Sequence, residues 1–291
     1  MDILEKSYIL VDGSGFIHRA FHAFPPLTDT QGRPVGALYG FARMILPLLT
    51  QAERGALYVF FDAGRQTFRH ELYAEYKTNR RQTDTTLAIQ FPFVRQFCTA
   101  FSIPHFEHLN FEADDLIASF ATQIAEKGSA CTIVSSDKDL IQLINPHIAL
   151  YDPMKKAFIT PESVLNKYGI LPEKMIAFQA LVGDQSDCIP GVPGIGPKTA
   201  ASLLQTYNSL EGIYAHLSDI MPPKVQEKIS TYQEQAFLSR DLVTLKRDIN
   251  IPENISALPL DKDKARRFLE VFSFTTLLPF LDHFSSHTTA A

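Results

Sequence analysis

The stretch SYILVD (residues 7–12) is a short apolar run that ends in an aspartate, and it recurs in related form at two later places. ALYVFFD (56–62) ends in Asp62, and CTIVS (131–135) is followed by Asp137. Helical patterns of apolar residues at 36–49 and 114–124 separate these runs. Short apolar runs alternating with helices are typical of a parallel sheet that is covered on both faces. We therefore predict an α/β unit over residues 1–160.

Acidic residues follow the predicted strands. In open parallel sheets ligands bind beyond the carboxyl ends of the strands, so Asp12, Asp62 and Asp137 should meet at one edge. A further group, EADD (112–115), opens a predicted helix, where negative charge is favoured. The full candidate set comprises Asp12, Asp62, Glu112, Asp114, Asp115, Asp137, Asp139, Asp184 and Asp187.

A metal explains how so many carboxylates could share one place. Carboxylates a few ångströms apart repel, and some must protonate unless a cation compensates them. Mg²⁺ takes oxygen ligands and keeps several waters, which suits a carboxylate-lined cleft, and no His/Cys spacing favours zinc. Two ions about 4 Å apart could flank a phosphodiester. Any single aspartate here could be only a helix cap, but nine acids in several such places are hard to explain that way.

A glycine-rich turn forms the second constellation, GVPGIGPKTA (191–200). Its backbone N–H groups, followed by Lys198 and Thr199 at a predicted helix start, could hold a phosphate without reading bases. This is the helix–hairpin–helix pattern of non-specific DNA binders, expected over about residues 183–206. The spacing of a P-loop is not met, because Pro197 precedes the lysine and no strand leads in. The glycines proposed to contact DNA are Gly191, Gly194 and Gly196.

Basic and aromatic residues alternate in FRHELYAEYKTNRR (68–81), which could stack an unpaired base and hold phosphates. A solvated helix face explains this stretch nearly as well. Residues 76–92 lack a strand pattern, so a mobile loop or a projecting helical hairpin is expected there. Arg19 could extend the same surface. Residues 161–284 are predicted to be mostly helical, and the tail 285–291 is predicted to be disordered.

The net charge of −5 argues mildly against a nucleic-acid partner, since such proteins are usually basic. Nine of the 32 acids belong to the candidate site, however, which leaves 23 acids against 27 bases elsewhere. No apolar run reaches the length of a membrane helix, and no signal peptide is apparent. The three separated cysteines are expected to be reduced thiols. We expect a cytoplasmic monomer without a membrane partner.

Five motifs together resemble the 5′-nuclease (flap endonuclease) superfamily. In order they are LVDGSGFIHRAFHA, FDAGRQTFRHELYAEYKTNR, FEADDLIAS, SSDKDLIQL and LVGDQSDCIPGVPGIGPKTA. The likeness is strongest to the 5′→3′ exonuclease domain of bacterial DNA polymerase I and its free-standing relatives, and it covers residues 7–282. It implies a PIN-like core, a helical arch at about 68–92, and a two-metal hydrolase that removes 5′ flaps and RNA primers from branched or nicked DNA in replication and repair, within the bacterial nucleoid.

The resemblance also implies roles for individual residues. Asp12, Asp62, Glu112 and Asp114 resemble the ligands of the first Mg²⁺ or Mn²⁺ ion. Asp115, Asp137, Asp139 and Asp187 resemble those of the second, with Asp184 nearby and acting through water. Lys77 and Arg80 resemble the catalytic basic pair at the scissile phosphate, Tyr76 a stacking residue, and Arg81 a further DNA contact. Residues 191–199 resemble a hairpin whose carbonyls can hold K⁺.

Two departures from the family pattern stand out. Cys188 occupies a position where the family usually has Asn, and residues 81–90 lack the proline common after the basic pair, with Ala88 where an arginine is common. Two other functions fit parts of the sequence. A non-catalytic DNA-binding module would have lost motif acids, and none is lost. An unrelated Mg²⁺-dependent phosphatase would leave the hairpin unexplained.

Overall fold

A computed structural model of the protein describes residues 8–52, 57–64, 66–80, 82–252 and 260–284. Its centre is a six-stranded sheet in the order β3-β2-β1-β4-β5-β6, parallel except for the antiparallel edge pair β5–β6. The strands are β1 (Tyr8–Asp12), β2 (Leu57–Asp62), β3 (His105–His108), β4 (Cys131–Val134), β5 (Ile148–Asp152) and β6 (Ala157–Ile159).

Helices surround the sheet and then dominate the carboxyl-terminal region. The first group is α1 (Gly13–Ala23), α2 (Gly36–Gln51), α3 (Phe68–Leu72), α4 (Thr85–Ala88), α5 (Phe91–Ala100) and α6 (Ala113–Glu126). The second group is α7 (Pro161–Tyr168), α8 (Met175–Val182), α9 (Pro197–Tyr207), α10 (Leu210–Ala215), α11 (Pro223–Thr231), α12 (Gln233–Val243) and α13 (Lys262–Val271). Short 3-10 turns include Asp139–Leu143, Pro172–Lys174, Gln185–Asp187 and Thr275–His283.

Alternate residues of the central strands enter two different cores. Val11, Val59 and Phe61 face α1, α2, α5 and α13, whereas Leu10 and Phe60 face α6 and the helical region that follows. This two-sided burial explains why the strands are continuous apolar runs rather than alternating ones. The prediction of a mostly parallel sheet covered on both faces is confirmed.

The three strands predicted from apolar runs are present with small shifts at their ends. The prediction did not include β3, β5 or β6. Of these, β3 (HFEH) lies at the sheet edge with half-buried and exposed residues, so no apolar run marks it. The carboxyl ends of β1, β2 and β4 lie side by side, because β1 pairs in parallel with both neighbours. Asp12 and Asp62 are the last residues of their strands.

The region 161–284 is mostly helical, as predicted, and two of its helical stretches are interrupted. The first divides into a 3-10 turn at Pro172–Lys174 and α8, and the second divides at Tyr232 into α11 and α12. Between α8 and α9 lies the predicted hairpin. Across the part of the chain that the structure describes, no helix has the length and apolar character needed to cross a membrane. The predicted disordered tail lies outside the described residues.

The predicted arch segment, 68–92, contains two short helices and turns, and it is held against the body of the protein. The Lys77 N–H donates to the Asp187 carbonyl at 3.0 Å, and Asn79 donates to the Gln185 carbonyl at 2.8 Å. At the other end, the buried Gln90 side chain accepts the N–H groups of Ala37 and Leu38. These hydrogen bonds fasten the segment to the body of the protein at Lys77, Asn79 and Gln90.

Candidate metal centre

The strand ends are tied together by their own aspartates. Asp12 begins α1 by accepting the Gly15 N–H at 2.7 Å, and its second oxygen accepts the Ser135 hydroxyl at 3.0 Å. Asp62 accepts the N–H of Ala113, the first residue of α6, at 2.9 Å. These bonds fix the ends of β1, β2 and β4 relative to α6. The expectation that acidic residues meet at this edge of the sheet is confirmed.

One triad of carboxylates is close enough to share a cation. Oxygens of Asp139, Asp184 and Asp187 all lie within 4.8 Å of one another, and no other such group occurs among the residues that the structure describes. Asp137, which is exposed, accepts the Asp139 N–H at 2.9 Å and so stands beside this triad. The two segments that meet here are the turn after β4 and the turn before the hairpin.

Burial and mutual repulsion raise the pKa values of several of these carboxyls. Burial, together with the charges of Asp62 and Asp137, raises the pKa of Asp12 to about 6. Burial and the charge of Asp137 raise the pKa of Asp139 to about 7. The same two causes raise the pKa of Asp114 well above its ordinary value. A set of carboxylate oxygens that repel one another fits a hard divalent cation, because the cation would compensate their negative charges.

Three basic side chains compensate the other half of the cluster. Lys77 Nζ lies 2.8 Å from Glu112 Oε1 and 3.5 Å from Asp187 Oδ2. Arg80 Nη2 lies 2.7 Å from the second oxygen of Asp187. Lys138 Nζ lies 2.8 Å from Asp184 Oδ2. Burial acts to raise the pKa of Asp184, but Lys138 and Ser186 outweigh it and the pKa is lowered. The predicted basic pair therefore faces the predicted ligands directly.

Tyr76 does not have the place that a stacking residue needs. Its side chain is only 3% exposed and packs with Ile189, Leu242 and Val243. Its hydroxyl donates to Glu112 Oε2 at 3.1 Å. A ring enclosed in this way offers no free face to a base, so we correct the prediction: Tyr76 positions Glu112 from within a small apolar cluster.

Asp115 is also placed differently from the prediction. Its two oxygens accept Arg69 Nη1 and Nη2 at 2.6 and 2.8 Å, and they also accept the N–H groups of Glu112 and Lys246. Both side chains are buried. Because these donors use both oxygens, we correct the predicted metal ligation and assign Asp115 a structural role. It anchors the start of α6 to α3 and to the segment after α12.

The hairpin between α8 and α9 brings two glycines into backbone contact. Gly183 and Gly191 both have positive φ, and a Cβ on Gly191 would lie 2.3 Å from the Gly183 nitrogen. Gly194, Gly196 and Lys198 are exposed, and α9 begins at Pro197. The turn thus presents its backbone and the start of α9 to solvent. Two carbonyls of the segment that resembles a K⁺-binding hairpin accept side-chain hydrogen bonds, that of Gly191 from Gln235 and that of Gly194 from Lys228.

The remaining predicted DNA contacts lie on either side of the centre. Arg19 Nη2 donates to Ser136 Oγ at 2.5 Å, which places this arginine beside the turn after β4. Arg81 lies outside the described residues. Cys188, in the left-handed region with φ 57°, has its Sγ 3.7 Å from Thr78 Oγ1. The three cysteines are free thiols.

Sequence reasoning missed three residues of this centre. In the sequence Arg69 belongs only to a basic–aromatic stretch, although it is the buried partner of Asp115. Lys138 lies between the two acids of the SDKD motif and pairs with neither of them. Gln179 of α8 donates to Asp139 Oδ1 at 2.6 Å, and its buried Oε1 has no hydrogen-bond partner among the residues that the structure describes. Only Lys138 carries a signal in the sequence, because it stands between two acids of the SDKD motif.

Two family models together match most of the chain. The model of the 5′-3′ exonuclease N-terminal resolvase-like domain matches residues 7–169, and that of the 5′-3′ exonuclease C-terminal SAM fold matches residues 170–266. A DNA polymerase I from Rhizobium leguminosarum is 45% identical over 279 residues, covering 92% of this chain and 28% of that protein. A 5′-3′ exonuclease from Aquifex aeolicus is 35% identical over 280 residues, covering 95% and 96%.

Solved structures with the same fold are less similar in sequence. The bacteriophage T5 5′-exonuclease with bound zinc aligns with a TM-score of 0.68 and 21% identity, covering 91% of this chain and 99% of that one. The catalytic core of Rad2 in complex with a DNA substrate aligns with a TM-score of 0.66 and 18% identity, covering 96% and 94%. The chain spans about a third of the length of the DNA polymerase I relatives. From the family models and the Aquifex relative, the chain belongs to the 5′-3′ exonuclease family.

Proposed function

We propose that the protein is a structure-specific 5′→3′ exonuclease and 5′-flap endonuclease that hydrolyses phosphodiesters in DNA and in RNA primers. The observation that carries the proposal is the meeting of carboxylates at the strand ends with Lys77 and Arg80. The carboxylates of this cluster suit a cation as cofactor, and its basic side chains suit a phosphate as substrate. We propose Mg²⁺ or Mn²⁺ as that cofactor, with two ions for each site.

The proposed ligands are the carboxylates at the strand ends, at the start of α6, and in the 184–187 turn. Ions bound there would activate a water and neutralise the charge that develops on the leaving oxygen. Glu112 is positioned by Tyr76 and Lys77, and Asp139 by Gln179, so the ligand set is oriented before substrate arrives. Asp115 is not included, because its oxygens are used by Arg69.

Lys77 and Arg80 are proposed to hold the scissile phosphate. Burial disfavours the charge of Lys77, but Glu112 and Asp187 raise its pKa, so it stays an ammonium. Both bases belong to the arch segment, and their charged groups face Glu112 and Asp187. Holding the phosphate against the ligands would stabilise the charge of the transition state more than that of the bound substrate.

The hairpin and Arg19 are proposed to bind DNA away from the reacting bond. The exposed start of α9 offers backbone N–H groups and the side chains of Lys198 and Thr199 to phosphate. Such contacts position a duplex without reading its sequence. For the proposed K⁺ site, we limit the candidate ligands to hairpin carbonyls other than those of Gly191 and Gly194.

The proposed activity needs only the segment that the relatives share. The Aquifex exonuclease is matched along 96% of its length, and the Rhizobium DNA polymerase I along 28%. We propose that the segment acts as a nuclease both as a free-standing enzyme and as the amino-terminal part of a DNA polymerase I. The division into a core at 1–160 and a helical DNA-binding region at 161–284, and the monomeric state, remain proposals.

A double-flap duplex labelled at its 5′ end tests the function. With Mg²⁺, we expect release of the labelled flap as one main product, together with short products from a blunt or recessed 5′ end. The 5′ end retained on the duplex should carry a phosphate. Stable binding of the flapped duplex with no cleavage in either Mg²⁺ or Mn²⁺ would instead support a non-catalytic DNA-binding module.

A further inference from the structure

Lys138 lies between Asp137 and Asp139 in the sequence, but its ammonium binds a third carboxylate. Its Nζ is 2.8 Å from Asp184 Oδ2. The other oxygen of Asp184 accepts the N–H and the hydroxyl of Ser186, at 2.9 and 2.6 Å. Asp184 is one of the three acids whose oxygens lie within 4.8 Å of one another. A lysine of the chain therefore already binds one carboxylate of the triad.

The two partners of this ion pair differ in how freely their side chains can move. The Asp184 side chain is 6% exposed and is fixed in its turn by Ser186, whereas the Lys138 side chain is 40% exposed. A lysine carries a compact charge on a flexible stem, so its ammonium can move while its backbone stays in place. The ammonium can thus leave Asp184 without disturbing the turn, but the carboxylate cannot follow it.

The surroundings of Lys138 offer it a second partner. The turn that carries it also carries Ser136, which accepts a hydrogen bond from Arg19. Arg19 is a proposed DNA contact, and Asp137 beside it is exposed. Lys77 and Arg80 approach the cluster from the arch segment, whereas Lys138 approaches it from the end of β4. If a phosphate binds along this edge, the Lys138 side chain is long enough to reach it.

We propose that Lys138 is a competing cation of the metal centre. Its ammonium binds Asp184 until a divalent cation takes that carboxylate, and it then contacts a phosphate of the bound DNA. The proposal rests on the nuclease function proposed above. It predicts two effects of opposite sign, since Lys138 weakens metal binding to the free protein and strengthens binding of DNA to the metal-loaded protein. A lysine that only supported the turn would strengthen both.

Calorimetric titration of Mn²⁺ into the full chain without DNA tests the first effect. In Lys138→Met we expect the more weakly bound of the two metal ions to bind about fivefold more tightly. A factor of this size corresponds to the contribution of one partly exposed ion pair. Lys138→Arg keeps the charge and should stay near the unsubstituted protein. Lys155→Met is the matched control, because Lys155 also pairs with an aspartate, Asp152 at 3.3 Å, in the turn between β5 and β6. Its metal affinity should not change.

Binding of a flapped duplex with a non-hydrolysable linkage at the scissile position tests the second effect. With Mg²⁺ present, Lys138→Met should bind several-fold more weakly, and the slope of log affinity against log salt should fall by about 0.9, as for one lost phosphate contact. Lys138→Arg should restore both values. Both variants should unfold in a single cooperative thermal transition, which shows that each is folded.

The outcomes separate this proposal from the one it rests on. If the unsubstituted protein binds no divalent cation, both proposals are overturned. If it binds the cation and Lys138→Met binds it equally well or more weakly, only the role of Lys138 is overturned. Tighter metal binding with an unchanged DNA affinity and salt slope would overturn the phosphate contact.

Discussion

Arg69 and Asp115 form a two-pronged ion pair inside the protein, with Nη1 2.6 Å and Nη2 2.8 Å from the two carboxylate oxygens. The two side chains are 1% and 0% exposed. Arg69 also donates to the carbonyls of Leu242 and Thr244, so a single guanidinium connects α3, α6 and the end of α12. Arg69 Nη1 also lies 3.4 Å from Glu112 Oε2, so the pair joins the candidate metal centre to the helical region.

Removing one partner of this pair should strongly destabilise the fold. We expect Arg69→Met to lower the free energy of unfolding by about 3–5 kcal/mol, because Asp115 is left as an uncompensated buried charge. Urea denaturation measures this value. In the double variant Arg69→Met/Asp115→Leu the loss should be smaller than the sum of the single losses.

The surface pair Arg240–Glu211, at 3.0 Å, serves as the control. Arg240→Met should cost no more than about 1 kcal/mol, since exposed ion pairs contribute little. Equal costs for Arg69→Met and Arg240→Met would contradict the structural role that we give to the buried pair.

Asp137 should be essential for cleavage and dispensable for the fold. Asp137→Asn keeps an oxygen for the Asp139 N–H but removes the negative charge. We expect the single-turnover rate on a flapped duplex to fall by at least about 100-fold, because metal-ion stabilisation of the transition state amounts to several kcal/mol. Affinity for the duplex should change little.

Asp152→Asn is the matched control for this prediction. Asp152 is the last residue of β5, and it caps a turn by accepting the Met154 N–H at 2.9 Å, as Asp137 accepts the Asp139 N–H. Its replacement should leave the cleavage rate unchanged. A rate for Asp137→Asn close to that of the unsubstituted protein would remove Asp137 from the site.

Lys77 should matter more for the chemical step than for binding. In Lys77→Ala we expect the single-turnover rate to fall at least about 100-fold and the affinity for DNA to fall less than about fivefold, since a contact at the reacting phosphate is strongest in the transition state. Single-turnover cleavage and fluorescence anisotropy measure the two quantities. Parallel losses of rate and affinity would mean that Lys77 only binds substrate.

Lys156→Ala controls for backbone conformation. Lys77 and Lys156 both have a positive φ, at 55° and 50°, so an alanine meets similar strain at each position. Lys156 lies in the turn between β5 and β6, away from the carboxylates. An equal loss of activity in both variants would assign the effect to the backbone rather than to the ammonium.

Metal affinity should rise with pH. The pKa values of Asp12 and Asp139, about 6 and about 7, mean that protons must leave before a cation binds. Between pH 5 and pH 8 we expect the affinity for Mg²⁺ to increase by at least about 100-fold. Calorimetry in two buffers of different ionisation enthalpy would count the protons released. An affinity that is flat over this range would contradict the raised pKa values.

The same groups predict how stability changes with pH in a chelator. Both carboxyls titrate near 4 in the unfolded chain, so folding favours their protonated forms. Their contribution to stability is fully present below about pH 4 and is lost as the pH rises through 6 and 7. The melting temperature should therefore fall from pH 5 to pH 8 in a chelator. Mg²⁺ should recover it most at pH 8, because ions bound to the folded state stabilise that state.

The sequence by itself determined the three central strands of the sheet and the edge where their acids meet. An apolar run ending in aspartate is a local pattern, and parallel pairing carries the ends of neighbouring strands to one place. Asp12 and Asp62 could therefore be placed together before any coordinates. The edge strand β3 could not, because its half-exposed HFEH has no pattern that distinguishes it from a loop.

Only the tertiary structure decided which charges compensate each other. Arg69 and Asp115 are 46 positions apart, and Lys138 and Asp184 are also 46 apart, so no sequence spacing pairs them. Asp114 and Asp115 are adjacent in the sequence, yet successive residues of a helix point in different directions. As a result, burial and repulsion from Asp137 raise the pKa of Asp114, while Asp115 is neutralised by an arginine. The sequence identifies the acids, and the packing of distant segments selects which of them remain free to bind a metal.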